Sequence, residues 1–295
     1  MTLTSKTIIF FGTDAFSSVS LRELIAKGFT IGAVVTKPDS HKGRGRELMK
    51  PVVKQIAEAH GIPVWQPLKV SEIAENVRQF DNPIGVLVSY GKIIPQAIID
   101  LFNPGIVNVH PSLLPLYRGP SPIETAILNG DGKTGVSIMQ LSAQMDAGPV
   151  YSQVTVPLTG AETAPDLELQ LAELGAQQLS LILPEIIDGS AKPTPQNDDE
   201  ATYCKLLSKD DSVLDTSLLS AEEADRRVRA YLAFPKTKAT IAGHLVVITK
   251  AHVSDSATSI LDLQCSDGNY LSVDELIGPS GKAMNAQAFL NGYVK

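Results

Sequence analysis

Several residue types are scarce in this chain of 295 residues, and each scarcity excludes a class of protein. There are two cysteines, Cys204 and Cys265, and their spacing matches neither a disulfide framework nor a metal site. No apolar run approaches the roughly 18 residues that a membrane span needs, and the stretch before the first apolar run is too short for a signal peptide. We therefore expect a cytoplasmic protein that has no membrane attachment.

Positive charge is also scarce, since the formal net charge is −7 at pH 7. Indiscriminate binding of nucleic acids needs clustered Lys and Arg, so the overall balance argues against it. The sign reverses in residues 37–54, which hold six Lys or Arg against two acids. A basic segment in an acidic chain suits selective binding of a structured RNA, although charge alone fits a solvated loop equally well.

A third scarcity concerns glycine after the first apolar run. Gly12 stands alone before Thr13, whereas a dinucleotide-binding turn needs three spaced glycines that let the backbone approach a pyrophosphate. The sequence therefore argues against NAD as a cofactor.

Apolar periodicity predicts an α/β fold followed by a smaller β domain. Strand-like runs at residues 7–11, 29–35, 84–89, 105–110 and 135–141 alternate with helical patterns at 16–28 and 52–61, which is typical of a parallel sheet covered by helices. Capping signals at Ser121 and Ser220 predict further helices, as does the pattern over residues 163–187. The predicted divisions are a catalytic domain at 1–189, a linker at 190–206 and a C-terminal domain at 207–295, whose short alternating strands favour a small barrel.

The best candidates for chemistry are Asn108 and His110, which close one of these strands. Residues at i and i+2 point to the same side of a strand, and α/β folds build their sites at the carboxyl ends of strands. An amide and an imidazole can both donate to an oxygen that becomes negative in a transition state. Asp146, in a Gly-containing loop after the next strand, can orient the imidazole and favour its charged form. Each residue alone is more often an ordinary structural residue, so the joint pattern carries the prediction.

These residues resemble a known family. Asn108-x-His110-x-Ser112-Leu-Leu-Pro115, followed by Arg118-Gly119 and by Asp146-x-Gly148, is similar to the site of the 10-formyltetrahydrofolate-dependent formyltransferases. The resemblance implies a Rossmann-like catalytic domain, an OB-like barrel, and catalysis by the matching Asn, His and Asp without a metal. It also implies that 10-formyltetrahydrofolate is the co-substrate.

Two segments favour the branch of the family that formylates the α-amino group of methionyl initiator tRNA for translation initiation. Residues 36–49 resemble the basic insertion loop of that branch, and residues 281–292 resemble its closing motif. The tRNA-binding candidates in the loop are Lys42, Arg44 and Arg46. Three alternatives stay open: a hydrolase of the formyl-folate, a formyltransferase for an amino sugar nucleotide, and a catalytically silent RNA-binding protein.

The resemblance places the folate beside two loops. We also expect the protein to be a monomer. The cofactor-binding candidates are Tyr90, Gly91, Ile93, Ile94, Ser112, Leu113, Leu114 and Pro115. Core packing is an equally good explanation for one of Ile93 and Ile94. The resemblance also prompts the expectation of a cis peptide bond between Leu114 and Pro115, in a tight turn that lies against the predicted pocket.

Overall fold

The computed structural model describes residues 6–42 and 47–294. For Lys42 and Glu47 it describes the backbone but not the side chain. The chain divides into two compact units. The first comprises residues up to 119 together with 135–156 and 168–203, and the second comprises 120–134, 157–167 and 204–295. The domain limits expected from the sequence remain a prediction.

A seven-stranded, mainly parallel sheet organises the first unit, as the sequence predicts. Its order is β5-β2-β1-β6-β7-β8-β9; the first five of these strands are parallel, and β8 runs antiparallel to β7. Five parallel strands bring their carboxyl ends to one edge of the sheet, which is where the candidate site lies. The strands are β1 (Ile8–Phe11), β2 (Ile31–Val35), β5 (Val64–Trp65), β6 (Ile84–Leu87), β7 (Ile106–His110), β8 (Lys133–Gln140) and β9 (Val150–Pro157).

The helices begin close to the capping residues in the sequence. The Asp14 carboxylate accepts the backbone N–H of Ser17 at 3.1 Å and caps the first helix. The Ser121 prediction is wrong in one respect: its hydroxyl donates to the Lys205 carbonyl and makes no capping bond, although the helix still begins at Pro122. The helices are α1 (Ala15–Ala26), α2 (Val52–Ala59), α3 (Ala74–Val77), α4 (Gln96–Ile99), α5 (Pro122–Asn129), α6 (Ala164–Asp188), α7 (Ala221–Ala230) and α8 (Ala286–Tyr293).

The basic segment contains two short paired strands that the sequence did not predict. Strand β3 (Ser40–Lys42) pairs antiparallel with β4 (Glu47–Met49). Lys54 donates to the Asp39 carboxylate at 2.8 Å and lowers the pKa of that group. Gln66 donates both to Asp39 and to the Lys37 carbonyl, at 2.7 and 2.9 Å. These contacts hold the base of the segment.

The second unit contains an antiparallel sheet, in agreement with the small β domain that the sequence predicts. Four strands follow the order β10-β11-β13-β12, and β14 pairs with β13. Helix α7 begins with a full capping box formed by Ser220 and Glu223, as expected. Buried side chains of α7 and of these strands share one core that also includes Phe289 of α8. The strands are β10 (Thr237–Ile241), β11 (His244–Ser254), β12 (Asp262–Gln264), β13 (Tyr270–Ile277) and β14 (Ala283–Asn285).

Candidate active site

Strand β7 places Asn108 and His110 at the carboxyl edge of the sheet. Both side chains are 5% exposed, and because they are two residues apart they lie on the same face of the strand. Val109 lies on the opposite face, where α6 packs closely: a Cβ on Gly175 would be 2.7 Å from a Val109 methyl group. One face of β7 thus packs against α6, and the side chains of Asn108 and His110 share the opposite face.

The imidazole of His110 lies between two hydrogen-bond acceptors. Its Nε2 is 3.0 Å from the Tyr117 carbonyl oxygen, and because a carbonyl can only accept, Nε2 donates this bond. Its Nδ1 is 3.8 Å from Asp146 Oδ2. That distance allows an ion pair or one bridging water but exceeds a direct hydrogen bond. His110 and Asp146 therefore meet as expected, whereas their catalytic roles remain predictions.

Asp146 is itself held in place by the backbone. Its Oδ2 accepts the N–H of Gly119 at 2.9 Å, so the same oxygen faces both this amide and the His110 ring. A carboxylate fixed in this way can orient the ring and balance a positive charge on it. Together with the Asn108 amide, the ring can donate hydrogen bonds to an oxygen on which negative charge develops.

The turn after His110 is locked by buried polar groups. The peptide bond between Leu114 and Pro115 is cis, which confirms that prediction. Ser112 is fully buried and donates to the Leu116 carbonyl at 2.6 Å. Ser137 of β8 accepts from Leu114 N–H and donates to the Ser112 carbonyl, at 3.0 and 2.6 Å. Ser112 therefore shapes the turn, and direct contact of this turn with the folate stays a prediction.

The other loop predicted to bind the folate divides between core and surface. Tyr90 is 1% exposed and packs edge-on against Phe11, and burial raises the pKa of its phenol to about 12. Ile94 is buried in the same core, whereas Ile93 is 86% exposed. Gly91 adopts a φ of +69°, and Lys37 Nζ would lie 2.4 Å from a Cβ there. Of the two isoleucines, only Ile93 is open to a ligand; its role and that of Gly91 stay predictions.

The tRNA-binding candidates cannot be placed in the site. Arg44 and Arg46 lie outside the described residues, and so does the side chain of Lys42. Their assignment rests on the sequence alone.

Two groups that the sequence did not single out join the site. Gln196 donates to the carbonyls of Asp146 and Gly148, at 2.8 and 2.7 Å. The Thr202 hydroxyl accepts the N–H of Tyr117 at 2.8 Å. Both lie in the stretch interpreted as a linker, and no local pattern points to them because their partners are 50 and 85 residues away.

Two features are absent from the part of the chain that the structure describes. No group of three or more His, Cys, Asp or Glu side chains among these residues could hold a metal ion. None of the helices that they form is long and apolar enough to cross a membrane.

Comparison with known proteins gives the class. Residues 6–183 match the formyl transferase family, and residues 206–294 match the C-terminal domain of formyl transferases. The chain belongs to the formyl transferase family. It is 38% identical over 278 residues to a methionyl-tRNA formyltransferase of Pelobacter propionicus, with 94% of this chain and 87% of that protein covered.

Solved structures share the fold at lower identity. An N-formyltransferase of Helicobacter canadensis, determined with folinic acid and dTDP-3-aminofucose, has a TM-score of 0.69 at 18% identity and covers 92% of this chain and 99% of its own. HypX of Aquifex aeolicus, in complex with tetrahydrofolic acid, has a TM-score of 0.68 at 17% identity. The match covers 98% of this chain, which spans about half of HypX (47%).

Proposed function

We propose that the protein transfers the formyl group of 10-formyltetrahydrofolate to the α-amino group of methionyl initiator tRNA in the cytoplasm. The observation that carries the reaction is the placement of His110 Nδ1 3.8 Å from Asp146 Oδ2, with Asn108 two residues earlier on the same face of β7. The identity to a methionyl-tRNA formyltransferase supports the acceptor, and so does the basic segment.

The reaction needs two proton movements and one stabilised oxyanion. The amine lone pair attacks the formyl carbon, a carbon–nitrogen bond forms, and the carbonyl oxygen becomes negative. The Asn108 amide donates to that oxygen, and the His110 ring supplies a second donor. The intermediate collapses when the bond to N10 breaks, N10 gains a proton and the attacking nitrogen loses one.

The surroundings of His110 suit the proton-transfer role. Nε2 donates to the Tyr117 carbonyl, and its N–H can be shared with a substrate oxygen that lies beside that carbonyl. Asp146 on the other side compensates a positive charge on the ring while the proton moves toward N10.

A parallel assay of acceptors tests this proposal. The full-length protein is given 10-formyltetrahydrofolate that carries a radioactive formyl group, together with methionyl initiator tRNA, glycinamide ribonucleotide, a dTDP-linked amino sugar, or water alone. We expect the label in formyl-methionyl-tRNA, at least 100-fold faster than in any other product. Preferential labelling of the sugar nucleotide or release of formate would replace the proposed acceptor, and no labelling in any reaction would reject the enzyme assignment.

A further inference from the structure

Among the described residues, two make polar contacts with the His110 ring, and both have an uncommon backbone conformation. Tyr117, whose carbonyl accepts from Nε2, has a φ of +57°, and Asp146, which faces Nδ1, has a φ of +48°. Few residues other than glycine adopt the left-handed region, and they keep it only where the surrounding structure holds them. The position of the ring therefore depends on whatever holds these two residues.

One segment, residues 194–203, holds both of them, and we call it the strap. The Thr202 hydroxyl accepts the N–H of Tyr117, and the Thr202 carbonyl accepts the N–H of Arg118, each at 2.8 Å. The Gln196 amide donates to the carbonyls of Asp146 and Gly148. The strap thus fixes the backbone on each side of the His110 ring.

Arg118 determines which way the Gln196 amide points. This arginine is 2% exposed, and its Nε and Nη2 donate to Gln196 Oε1 at 3.0 and 2.9 Å. Because a guanidinium can only donate, the amide oxygen must face Arg118 and the NH₂ group must face the two carbonyls. Burial alone would lower the pKa of Arg118, but hydrogen bonds to Asp198 and Tyr203 outweigh it and raise the pKa. The anchor stays charged at every physiological pH.

The strap is also tied down at its two ends. Thr194 and Val150 exchange two backbone hydrogen bonds of 2.8 Å at the start of β9. At the other end, Tyr203 forms a parallel bridge with Arg118, and the N–H of Thr202 donates to the Pro115 carbonyl at 3.2 Å. A segment held at both ends can keep its partners in one geometry.

We propose that Gln196 and Thr202 are positioning residues for formyl transfer, acting through the backbones of Asp146 and Tyr117 on the His110 ring. The proposal rests on the proposed function, because it assigns them to the same reaction. The strap would then contribute to the reaction, whereas the sequence alone indicates a connecting linker.

The test is the substitution Gln196→Glu. A carboxylate still accepts from Arg118 but cannot donate to the carbonyls of Asp146 and Gly148, so the Asp146 loop loses its anchor and is repelled. We expect kcat with methionyl-tRNA to fall by about 10- to 100-fold, as small displacements of reacting groups do, while KM for 10-formyltetrahydrofolate stays within about twofold. Gln178→Glu is the matched control, since Gln178 donates to Ser152 at 3.1 Å and, among the described residues, makes no hydrogen bond to the site.

A second measurement separates this proposal from the proposed function. In histidine ¹⁵N-labelled protein, the ring signals of His110, identified by their loss in His110→Ala, are compared between the wild type and both Gln→Glu variants. We expect the signals to shift in Gln196→Glu and to stay in place in Gln178→Glu, even if the wild type proves to use another acceptor.

Unchanged ring signals with kcat within threefold of wild type would overturn the positioning role and leave the proposed function standing. If Gln196→Glu does not fold, Thr202→Val carries the same expectation, because it removes the hydroxyl that accepts from Tyr117. An equal loss of kcat in the Gln178→Glu control would also overturn the proposal, since it would reveal a general effect on stability.

Discussion

The contact between the His110 ring and the Asp146 carboxylate is longer than a direct hydrogen bond. The Nδ1–Oδ2 separation of 3.8 Å to Asp146 is roughly 1 Å longer than a charge-assisted hydrogen bond. A turn of the Asp146 side chain, or one bridging water, would complete the contact. The backbone on each side of the ring is held by Gln196 and Thr202, so the adjustment that the contact needs lies in the side chains.

The loop that carries Asp146 is crowded at Gly148. A Cβ at position 148 would lie 1.8 Å from the Gln140 carbonyl oxygen, so Gly148→Ala must displace backbone. We expect a loss of about 1–3 kcal/mol in the free energy of unfolding, from urea titration, and a fall of tenfold or more in kcat. Gly132→Ala is the control, because nothing lies within 4 Å of a Cβ there. Equal behaviour of the two variants would contradict the crowding at Gly148.

At the scale of residues, the sequence predicted the polar site residues that follow strands but not the residues that hold them in place. Asn108 and His110 stand out because they close an apolar strand, and Asp146 because it follows the next one. Gln196 and Thr202 are polar residues in a proline-containing stretch, where a linker is the ordinary interpretation. Their contacts are long-range, and only the folded chain brings them to the site.

Among the elements, those with long apolar periodicity were predicted well. Strands β1, β2, β6 and β7 and helices α1, α2, α6 and α7 all lie within the predicted segments or within a few residues of them. The hairpin β3–β4 was missed because its strands have three residues each and are rich in charge. Strands β10 and β11 are joined by a turn at Ala242 and Gly243, both of which have positive φ.

Arg44 in the basic segment is the first residue to test for tRNA binding. A planar guanidinium can pair with a phosphate or a base edge through two hydrogen bonds, so Arg44→Ala should raise KM for methionyl-tRNA by about 10- to 100-fold. Binding of 10-formyltetrahydrofolate, measured by calorimetry, should change by less than twofold. Arg78→Ala is the control, since Arg78 is exposed and pairs with Glu75. Loss of folate binding in Arg44→Ala, or unchanged use of tRNA, would remove the loop from its assigned role and favour the sugar-nucleotide alternative.

For the molecule as a whole, the family and the fold agree, and the substrate follows from other features. The N-formyltransferase of Helicobacter canadensis that was determined with dTDP-3-aminofucose shares this fold, so the fold alone does not determine what is formylated. The acidic chain with its local excess of basic residues, and the relative of 38% identity, are what favour a tRNA acceptor. The pattern of residue types indicated the α/β class, whereas the division of residues 120–134 and 157–167 into the second unit could not be read from the sequence, because it depends on contacts between distant segments.

The account depends most on the assignment of His110 to the chemical step. The most direct measurement is the single-turnover rate of transfer of labelled formyl to methionyl initiator tRNA, with enzyme and 10-formyltetrahydrofolate in saturating excess, for wild type and His110→Ala. The account predicts a rate about 100- to 1,000-fold lower in the variant, as for the loss of one oxyanion donor, with binding of the folate retained. A folded His110→Ala protein that transfers formyl within threefold of the wild-type rate would contradict it.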